Sequence, residues 1–439
     1  MRRHWWMAAW TVMLLGGCGT WFGETDGPPL PGERVAVLQQ QTDLSADPQA
    51  LSEPIVLPPP ELNADWPQAG GDPTHVMQSL QAGQPERPLW QADIGSGTGT
   101  SRPLLPGPVV AERRVFAVDT ENVVSAFDAG SGKRLWRVDL TDDEEDDDAE
   151  AGGLAWFDGR VFVTTGFGKV FALDALSGKR VWRRDLGMPV HVPPTVSDGR
   201  IFVVTVENQL RALSSADGSD VWPPYQALGE VARLVGGANP AASTQALVAP
   251  FSSGELIAVR TDTGRSLWGD SLAPARRTDE ISSLAQIRAR PAIDGGRVYA
   301  ISAGGILAAF DLRNGQRLWE RDIGGQQSPW IAGRQIYQID NAGQLLCVST
   351  DTGRIHWATK LPRFKNEKER TGPILWSGPV LAGDRLLITG TDGRLLTVSA
   401  RDGRILQRQA LAESFTVAPV IADGIVYLLD DDAELSAYR

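Results

Sequence analysis

A five-residue stretch, Gly132-Lys133-Arg134-Leu135-Trp136, recurs along this chain and decides how it folds. Five further copies keep the same spacing between glycine and tryptophan: Gly178-Lys-Arg-Val-Trp182, Gly218-Ser-Asp-Val-Trp222, Gly264-Arg-Ser-Leu-Trp268, Gly315-Gln-Arg-Leu-Trp319 and Gly353-Arg-Ile-His-Trp357. A further copy, Gly403 to Gln407, has glutamine in the tryptophan position, and Trp90 precedes the first copy without the glycine. The copies lie roughly 45 residues apart, which is the length of four short strands with their turns.

Each copy follows an apolar stretch with a small residue ten positions before the tryptophan. These small residues are Ala126, Ala172, Ala212, Ala258, Ala309, Cys347 and Thr397. The alternation of apolar with small or polar residues indicates β-strands, and Asp-Gly or Asn-Gly between stretches indicates tight turns. Since Cys347 takes a position that alanine usually fills, we expect a buried thiol that does not react.

The number of strands predicts the topology. An eighth copy of the inner strand, Leu435 to Tyr438, ends the chain with no outer strand after it, whereas a spare outer strand lies at Arg87 to Ile94. A closed ring uses every strand and leaves no long sheet edge exposed. We therefore predict an all-β fold for residues 65–439: an eight-bladed β-propeller with four-stranded antiparallel blades, in which the N-terminal strand completes the last blade.

The N-terminal residues predict export and lipid attachment. Two arginines precede an apolar run that is too short to span a bilayer comfortably, and the run ends in Leu15-Gly16-Gly17-Cys18, which resembles a bacterial lipobox. We expect residues 1–17 to be a signal peptide and Cys18 to carry acyl chains at the periplasmic face of the outer membrane. Residues 18–64 are rich in proline and polar residues, so we expect a flexible tether.

Composition excludes several classes of function. The formal net charge of the 439-residue chain is −12, which argues against binding to nucleic acid. Its four histidines show no metal-ligand spacing, so we expect no metal site. The acidic run at 142–150 has neither the glycine nor the spacing of a calcium loop, and it is interpreted as a solvated insertion. The glycine-rich stretch Gly95 to Gly99 lacks the Lys-Ser/Thr ending of a phosphate loop and is interpreted as a plain loop.

The tryptophan repeat resembles that of quinoprotein propellers, whose enzymes oxidise alcohols or sugars with pyrroloquinoline quinone and calcium. The stretch from Trp66 to His75 is similar to the opening of those domains. A periplasmic quinone-dependent dehydrogenase is therefore the alternative function. Against it, the chain has no pair of adjacent cysteines and no convincing set of calcium ligands. Whether Trp156, Trp330 and Trp376, which lie outside the repeat, line the central funnel or plug it stays open.

The chain from Cys18 onward resembles the BamB family, lipoproteins of the outer-membrane β-barrel assembly machinery. Four features carry the resemblance: Asp93-Ile-Gly-Ser-Gly-Thr-Gly99, Glu280-Ile-Ser-Ser-Leu284 before Pro291, Phe310 to Trp319, and glutamine at 407. The resemblance implies a scaffold without catalytic residues or cofactor. It also implies two kinds of protein partner, the barrel-forming subunit of the machinery and nascent outer-membrane β-barrel chains.

The resemblance also implies a partner surface on two neighbouring loops. The family pattern Leu-x-Leu-Arg corresponds here to Ala232-Arg233-Leu234-Val235, and Asp-x-Asp corresponds to Gln286-Ile287-Arg288. The second loop thus loses two acids and gains a base, which a compensating partner surface could match. We predict that Arg233, Leu234, Val235, Gln286 and Arg288 bind the partner; the alternative is that both are ordinary surface loops.

Overall fold

The strands predicted from the repeat form eight four-stranded antiparallel sheets, which are the blades of a propeller. The protein is described by a computed structural model over residues 44–99, 106–141, 151–228, 237–273 and 286–439. Innermost strands of consecutive blades contact one another around the ring, and apolar clusters fill the space between neighbouring sheets. The predicted fold class is confirmed. In the part of the chain that the structure describes, no helix has the length and apolar character needed to cross a membrane.

In blades 1 to 7 the strands follow chain order from the innermost to the outermost. Blade 1 holds β2 (Val109–Ala111), β3 (Arg114–Val118), β4 (Val123–Asp128) and β5 (Arg134–Asp139); blade 2 holds β6 (Ala151–Phe157), β7 (Arg160–Thr165), β8 (Lys169–Asp174) and β9 (Arg180–Asp185); blade 3 holds β10 (Thr195–Ser197), β11 (Arg200–Val204), β12 (Gln209–Ser214) and β13 (Tyr225–Gln226); blade 4 holds β14 (Ala241–Ala242), β15 (Ala246–Pro250), β16 (Glu255–Arg260) and β17 (Ser266–Ser271). Blade 5 holds β18 (Ala292–Asp294), β19 (Arg297–Ile301), β20 (Leu307–Asp311) and β21 (Arg317–Arg321); blade 6 holds β22 (Trp330–Ala332), β23 (Gln335–Ile339), β24 (Gln344–Ser349) and β25 (Ile355–Lys360); blade 7 holds β28 (Trp376–Ala382), β29 (Arg385–Gly390), β30 (Arg394–Ser399) and β31 (Ile405–Ala410). A hairpin of β26 (Phe364–Asn366) and β27 (Thr371–Pro373) lies between blades 6 and 7.

The ring closes as predicted, with the N-terminal strand in the last blade. Blade 8 consists of β32 (Val420–Ala422), β33 (Ile425–Leu429), β34 (Glu434–Tyr438) and β1 (Pro88–Asp93). β1 pairs antiparallel with β34, and Trp90 lies opposite Ala437. Blade 8 therefore combines the first strand of the propeller with its last three strands. Opening the ring at this blade requires breaking the pairing between β1 and β34.

Contacts between neighbouring blades explain why glycine and tryptophan recur together in the repeat. Each anchor tryptophan packs on the repeat glycine of the following blade: a Cβ at Gly132 would lie 2.6 Å from the Trp90 ring, and one at Gly178 would lie 2.7 Å from Trp136. These glycines also have positive φ, 69° and 71°, which L-residues with side chains rarely adopt. The indole N–H then donates to a carbonyl beside that glycine turn, as in Trp90 to Ala129 (2.9 Å) and Trp136 to Ala175 (3.0 Å).

The glutamine at 407 is explained by the same contact. The blade that follows it is blade 8, whose outermost strand is β1, so no turn with a repeat glycine joins its third and fourth strands and offers a surface for a tryptophan. Gln407 is accordingly exposed, although it lies opposite Thr397 as the repeat predicts. Nearby, Gln409 Nε2 donates to the carbonyl of Pro85 (2.9 Å) and so fastens blade 7 to the residues before β1.

Two local features differ from a regular repeat. In blade 3 the outermost strand begins at Tyr225, after Trp222, because Pro223 and Pro224 have no N–H to donate to a ladder. In six blades the pairing of the third and fourth strands shifts by one residue directly after the small residue, as between Ala126 and Phe127. This shift is a β-bulge, which the hydrophobic pattern does not encode.

Cys347 lies in β24 opposite Trp357 and is fully buried. Burial raises the pKa of its thiol well above the ordinary value, so the thiolate that would react is disfavoured. The expectation of a buried residue at the alanine position is confirmed, and the lack of reactivity stays a prediction.

The predicted extent of the tether is wrong for residues 44–64, because they pack on the propeller. The amide of Asp47 donates to the carbonyl of Ile355 (2.8 Å), and the Asp47 carboxylate accepts from the Ile355 amide (2.7 Å). Ala50 is buried against His356, whose Nδ1 lies 3.3 Å from the Ala50 carbonyl oxygen. These hydrogen bonds hold the segment against the outermost strand of blade 6, although its proline-rich composition predicts a flexible chain. The predictions for residues 1–17 and for Cys18 lie outside the described residues.

Candidate functional site

The central channel is closed at one end by the residues that precede β1. Residues 61–83, here called the channel segment, contact the innermost strand of every blade in turn. Its hydrogen bonds, donor first, run from blade 8 round the ring: Asn63 Nδ2 to Ile421 O (2.6 Å), Trp66 N to Val110 O (2.7 Å), Trp156 N to Pro67 O (2.6 Å), Val196 N to Gln68 Oε1 (2.8 Å), Ala242 N to Pro73 O (2.6 Å), Ile293 N to Thr74 O (2.9 Å), Trp330 Nε1 to Gln78 O (2.8 Å), Leu80 N to Leu381 O (3.2 Å) and Gly83 N to Gly424 O (3.4 Å). The segment thus covers the inner edges that the eight sheets would otherwise expose.

The stretch from Trp66 to His75 gives the channel segment its tight path. Gly70 and Gly71 have φ of 90° and 88°, and a Cβ at Gly70 would lie 2.5 Å from the His75 ring. The Asp72 carboxylate accepts from the amide of Val76 (3.0 Å) and from the Thr74 hydroxyl (2.9 Å), which holds the turn. The sequence of this stretch resembles the opening of quinoprotein domains, but it does not predict that the stretch lies in the channel. The stretch contacts successive blades through isolated bridges, and such contacts produce no periodic sequence pattern.

His75 is the most deeply placed titratable side chain of the segment. Its Nδ1 lies 2.8 Å from the Pro291 carbonyl oxygen, which can only accept, so Nδ1 carries the proton and donates. Its Nε2 then accepts from Asn239 Nδ2 (3.1 Å). Burial, reinforced by the positive charge of Arg290, lowers the pKa of His75 to about 3. The imidazole is therefore neutral at physiological pH and serves as a neutral structural link between the segment and blades 4 and 5.

The lowered pKa of His75 predicts how stability changes with pH. Below pH 6.5 the unfolded chain binds a proton that the folded protein accepts only near pH 3, so stability is lost as the pH falls through this window. Between pH 7 and pH 5 we expect the free energy of unfolding of the natural protein to fall by about 2 kcal/mol more than that of His75→Gln. Urea unfolding of both proteins at the two pH values measures this difference, in which groups common to both, such as Asp72, cancel. A stability gap that stays constant between pH 7 and pH 5 would contradict the assignment.

Above the channel segment lies a cavity of about 260 Å³ that opens towards the connections between blades. The outermost strand of each blade and the innermost strand of the next are joined on this side of the ring, here called the connection face. Trp66 and Trp330 stack in the cavity wall, with ring centroids 6.2 Å apart and planes 19° from parallel. Trp330 therefore lines the channel and also holds its closing segment. Trp376 is buried, and its indole N–H donates to the Pro362 carbonyl (2.8 Å) outside this cavity.

Two arginines supply the charge of this cavity. Arg288 Nη1 donates to Gln326 Oε1 (2.8 Å), and the Arg290 amide donates to Ser328 Oγ (3.0 Å). Burial lowers the pKa of Arg288 and lowers that of Arg290 to about 10, so both remain cationic at neutral pH. No aspartate or glutamate is found among the described residues of the cavity wall.

The predicted partner residues fall into three groups. Arg288 lies at the cavity on the connection face. Gln286 is buried, with 5% of its surface exposed, so it offers little area to a partner. Arg233, Leu234 and Val235 lie outside the described residues, as does the acidic run at 142–150. The structure therefore places one of the five predicted contact residues on an accessible part of the connection face.

The described residues of the channel do not form the site that a quinone-dependent dehydrogenase uses. Such an enzyme needs calcium ligands and a base in the channel. Across the described ranges, no group of three or more His, Cys, Asp or Glu side chains is arranged to hold a metal ion. The described cavity wall supplies no carboxylate for either role, and Cys347 is enclosed within blade 6.

Comparison with known proteins identifies the family. The model of the family described as outer membrane protein assembly factor BamB matches residues 80–146, 120–359 and 361–439. The chain belongs to the BamB family. BamB of Alkalilimnicola ehrlichii is 37% identical over 352 residues, which are 80% of this chain and 88% of that protein. BamB of Salmonella typhimurium is 31% identical over 356 residues, again 80% of this chain and 88% of that protein.

Solved structures show the same fold. The crystal structure of BamB from Moraxella catarrhalis superposes with a TM-score of 0.65 at 19% identity, covering 80% of this chain and all of that one. Quinohemoprotein alcohol dehydrogenase from Comamonas testosteroni gives a TM-score of 0.66 at 14% identity, covering 85% of this chain and 80% of that one. At these identities the likeness establishes the propeller alone, and function has to be argued from residues.

Proposed function

We propose that this BamB-family chain is a non-catalytic scaffold lipoprotein that binds the barrel-forming subunit of the outer-membrane assembly machinery and assists the insertion of outer-membrane proteins. The observation that carries the proposal is similarity to proteins named outer membrane protein assembly factor over four fifths of the chain. The lack of a fitting catalytic or metal-binding set among the described residues of the channel supports the non-catalytic part. Cys18 is the proposed lipid attachment site at the periplasmic face of the outer membrane.

The connection face is the proposed surface for the barrel-forming subunit. Arg288 lies on this face between β17 and β18, and Leu228, which is 67% exposed, lies in the connection before β14. An exposed leucine and a base in neighbouring connections offer an apolar contact and charge complementarity to an acidic partner surface. The positions of Arg233, Leu234 and Val235 in the chain assign them to the same connection as Leu228.

The rim of the propeller is the proposed surface for nascent β-barrel chains. In seven blades the residue at the rim directly before the anchor position is an aliphatic side chain that is 37–52% exposed; these residues are Leu89, Leu135, Val181, Val221, Leu267, Leu318 and Leu406. In blade 6 the same position is His356, which the chain's own residues around Asp47 and Ala50 cover. At blade 6 the amide of Asp47 donates to the carbonyl of Ile355, so a backbone hydrogen bond joins another part of the chain to the outermost strand of this blade. Pairing of nascent chains with the outermost strands of the other blades is the corresponding proposal.

A paired substitution tests the partner surface. Combining Leu234→Ala with Arg288→Glu removes an apolar contact and reverses a charge, and we expect recovery of the barrel-forming subunit in affinity purification from solubilised outer membrane to fall by about tenfold or more. The matched control is Arg313→Glu, which reverses the charge of an 85%-exposed side chain in a rim turn of blade 5 and should leave recovery unchanged. Unchanged recovery with the paired variant would overturn the proposed surface.

A second readout of the same preparation addresses catalysis. With pyrroloquinoline quinone, calcium, an alcohol substrate and a redox dye, we expect no dye reduction above a sample without protein. Turnover in this assay would contradict the proposal of a non-catalytic scaffold.

A further inference from the structure

The channel cavity carries a charge opposite to that of the whole protein. The formal net charge of the chain is −12, yet the charged side chains among the described residues of the cavity wall are Arg288 and Arg290. A cluster of cations in a recess focuses positive potential and attracts anions, the more so where low-dielectric walls surround it.

Arg290 is a partly buried cation of the cavity wall. Its Nε is buried and has no hydrogen-bond acceptor, and no ion pair to a carboxylate is found for it within the described ranges. A buried cation without an acceptor destabilises a fold unless something else neutralises it. The lowered pKa of the adjacent His75, which a nearby acid would raise, agrees with the absence of a compensating negative charge.

Within the described ranges, the side chain of Arg288 donates to a neutral group. Its contact with Gln326 Oε1 at 2.8 Å satisfies one donor and leaves the charge uncompensated. Arginine presents several N–H donors in a planar fork, so Arg288 retains donors that can reach a second ligand in the same cavity. Two guanidinium groups on one recess are the arrangement that recognises carboxylate or phosphate oxygens.

The remaining walls set the size and character of the ligand. A volume of about 260 Å³ lies just below the usual range of ligand pockets and admits one small organic molecule. Trp66, Trp330 and the proline that precedes each of several innermost strands give an apolar lining beside the two cations. Gly70 lets the channel segment approach closely, because a Cβ there would lie 3.3 Å from Arg290 Nε.

We propose that the cavity at the connection face is a binding site for a small organic anion, whose carboxylate or phosphate group is held by Arg288 and Arg290 and whose short apolar part lies against Trp66 and Trp330. The site shares Arg288 with the proposed partner surface, whereas Arg290 and the two tryptophans line the recess alone. Arg290→Gln therefore tests the anion site without changing a proposed partner residue. Binding supplies the negative charge that Arg290 lacks, so the ligand also stabilises the channel.

Calorimetric titration of the full chain in non-ionic detergent tests the site. The probes are citrate and inorganic phosphate, with sodium chloride at matched ionic strength as reference, so that the two arms distinguish carboxylate from phosphate. We expect at least one probe to bind with a dissociation constant below about 1 mM, and Arg290→Gln to weaken it about tenfold or more. Arg313→Gln, which changes an exposed arginine of the rim, should bind like the natural protein. Heats no larger than those of chloride, or equal binding by Arg290→Gln, would overturn the proposal.

Thermal unfolding gives a second measurement with a defined sign. Without added anion, Arg290→Gln should unfold at a higher temperature than the natural protein, because it removes a partly buried cation whose Nε has no acceptor. The probe should raise the midpoint of the natural protein more than that of Arg290→Gln at the same concentration. A lower midpoint for Arg290→Gln without anion, or an equal rise in both proteins, would contradict the site. Arg288→Gln, which leaves the inner part of the recess intact, tests the same binding if Arg290→Gln does not fold.

Discussion

Deleting residues 1–83 is expected to lower the thermal midpoint of the propeller by on the order of 10 °C or more. The deletion keeps β1 and therefore the closure of the ring, but it removes the channel segment that contacts all eight innermost strands. Trp66 and Leu80 are buried in this segment, and truncation of such side chains alone costs about 3–5 and 2–5 kcal/mol. The inner edges of the sheets would also lose their hydrogen-bond partners.

A series of shortened chains separates the contributions. A form that begins at residue 44 should unfold like the full chain. A form that begins at residue 61 should lose the contacts of residues 44–60 with the propeller, among them those of Leu44, Asp47 and Ala50 with blade 6. The large change should occur between starts at 61 and 84, measured by circular dichroism on heating. Trp66→Ala in the full chain should reproduce about 3–5 kcal/mol of it in urea. Equal thermal midpoints for the forms starting at 61 and 84 would show that the channel segment does not stabilise the propeller.

Sequence reasoning reached the repeat and missed the segment for one physical reason. The blade occurs eight times, so residues that a blade needs recur at the same spacing along the sequence. An example is the glycine on which the tryptophan of the preceding blade packs, as at Gly132 and Gly178. The channel segment makes one or two of these hydrogen bonds with each blade, and the residues that make them, from Asn63 to Gly83, share neither a spacing nor a residue type. Nothing in such a sequence repeats, so only the assembled ring shows where it goes.

The candidate site was less accessible to prediction for the same reason. Arg288 was identified through a family pattern that it departs from, whereas Arg290, two residues on, carries no pattern. Its significance comes from the residues it faces, His75 and the carboxylate-free part of the described cavity wall. The site is defined by two arginines with no carboxylate close to them in the described cavity wall, and only the three-dimensional structure shows which side chains lie close to each other.

The tryptophan of the closing strand gives the second large expected effect. Trp90 is 8% exposed, packs on Gly132, lies 6.0 Å from the Tyr427 ring and donates to the Ala129 carbonyl, so it joins blade 8 to blade 1. Trp90→Ala should lower the free energy of unfolding by about 3–5 kcal/mol, because it leaves a cavity and an unpaired carbonyl at the point where the ring closes.

Gln407 supplies a matched control at the equivalent position of blade 7. Its side chain is exposed and the following blade has no repeat glycine, so Gln407→Ala should change stability by no more than about 0.5 kcal/mol. Gln407→Trp should not stabilise the protein either, since the indole would find no glycine turn to cover. Urea midpoints of the three variants decide the matter. If Gln407→Trp raised the midpoint as much as Trp90→Ala lowered it, tryptophan would act through strand propensity and not through the glycine of the next blade.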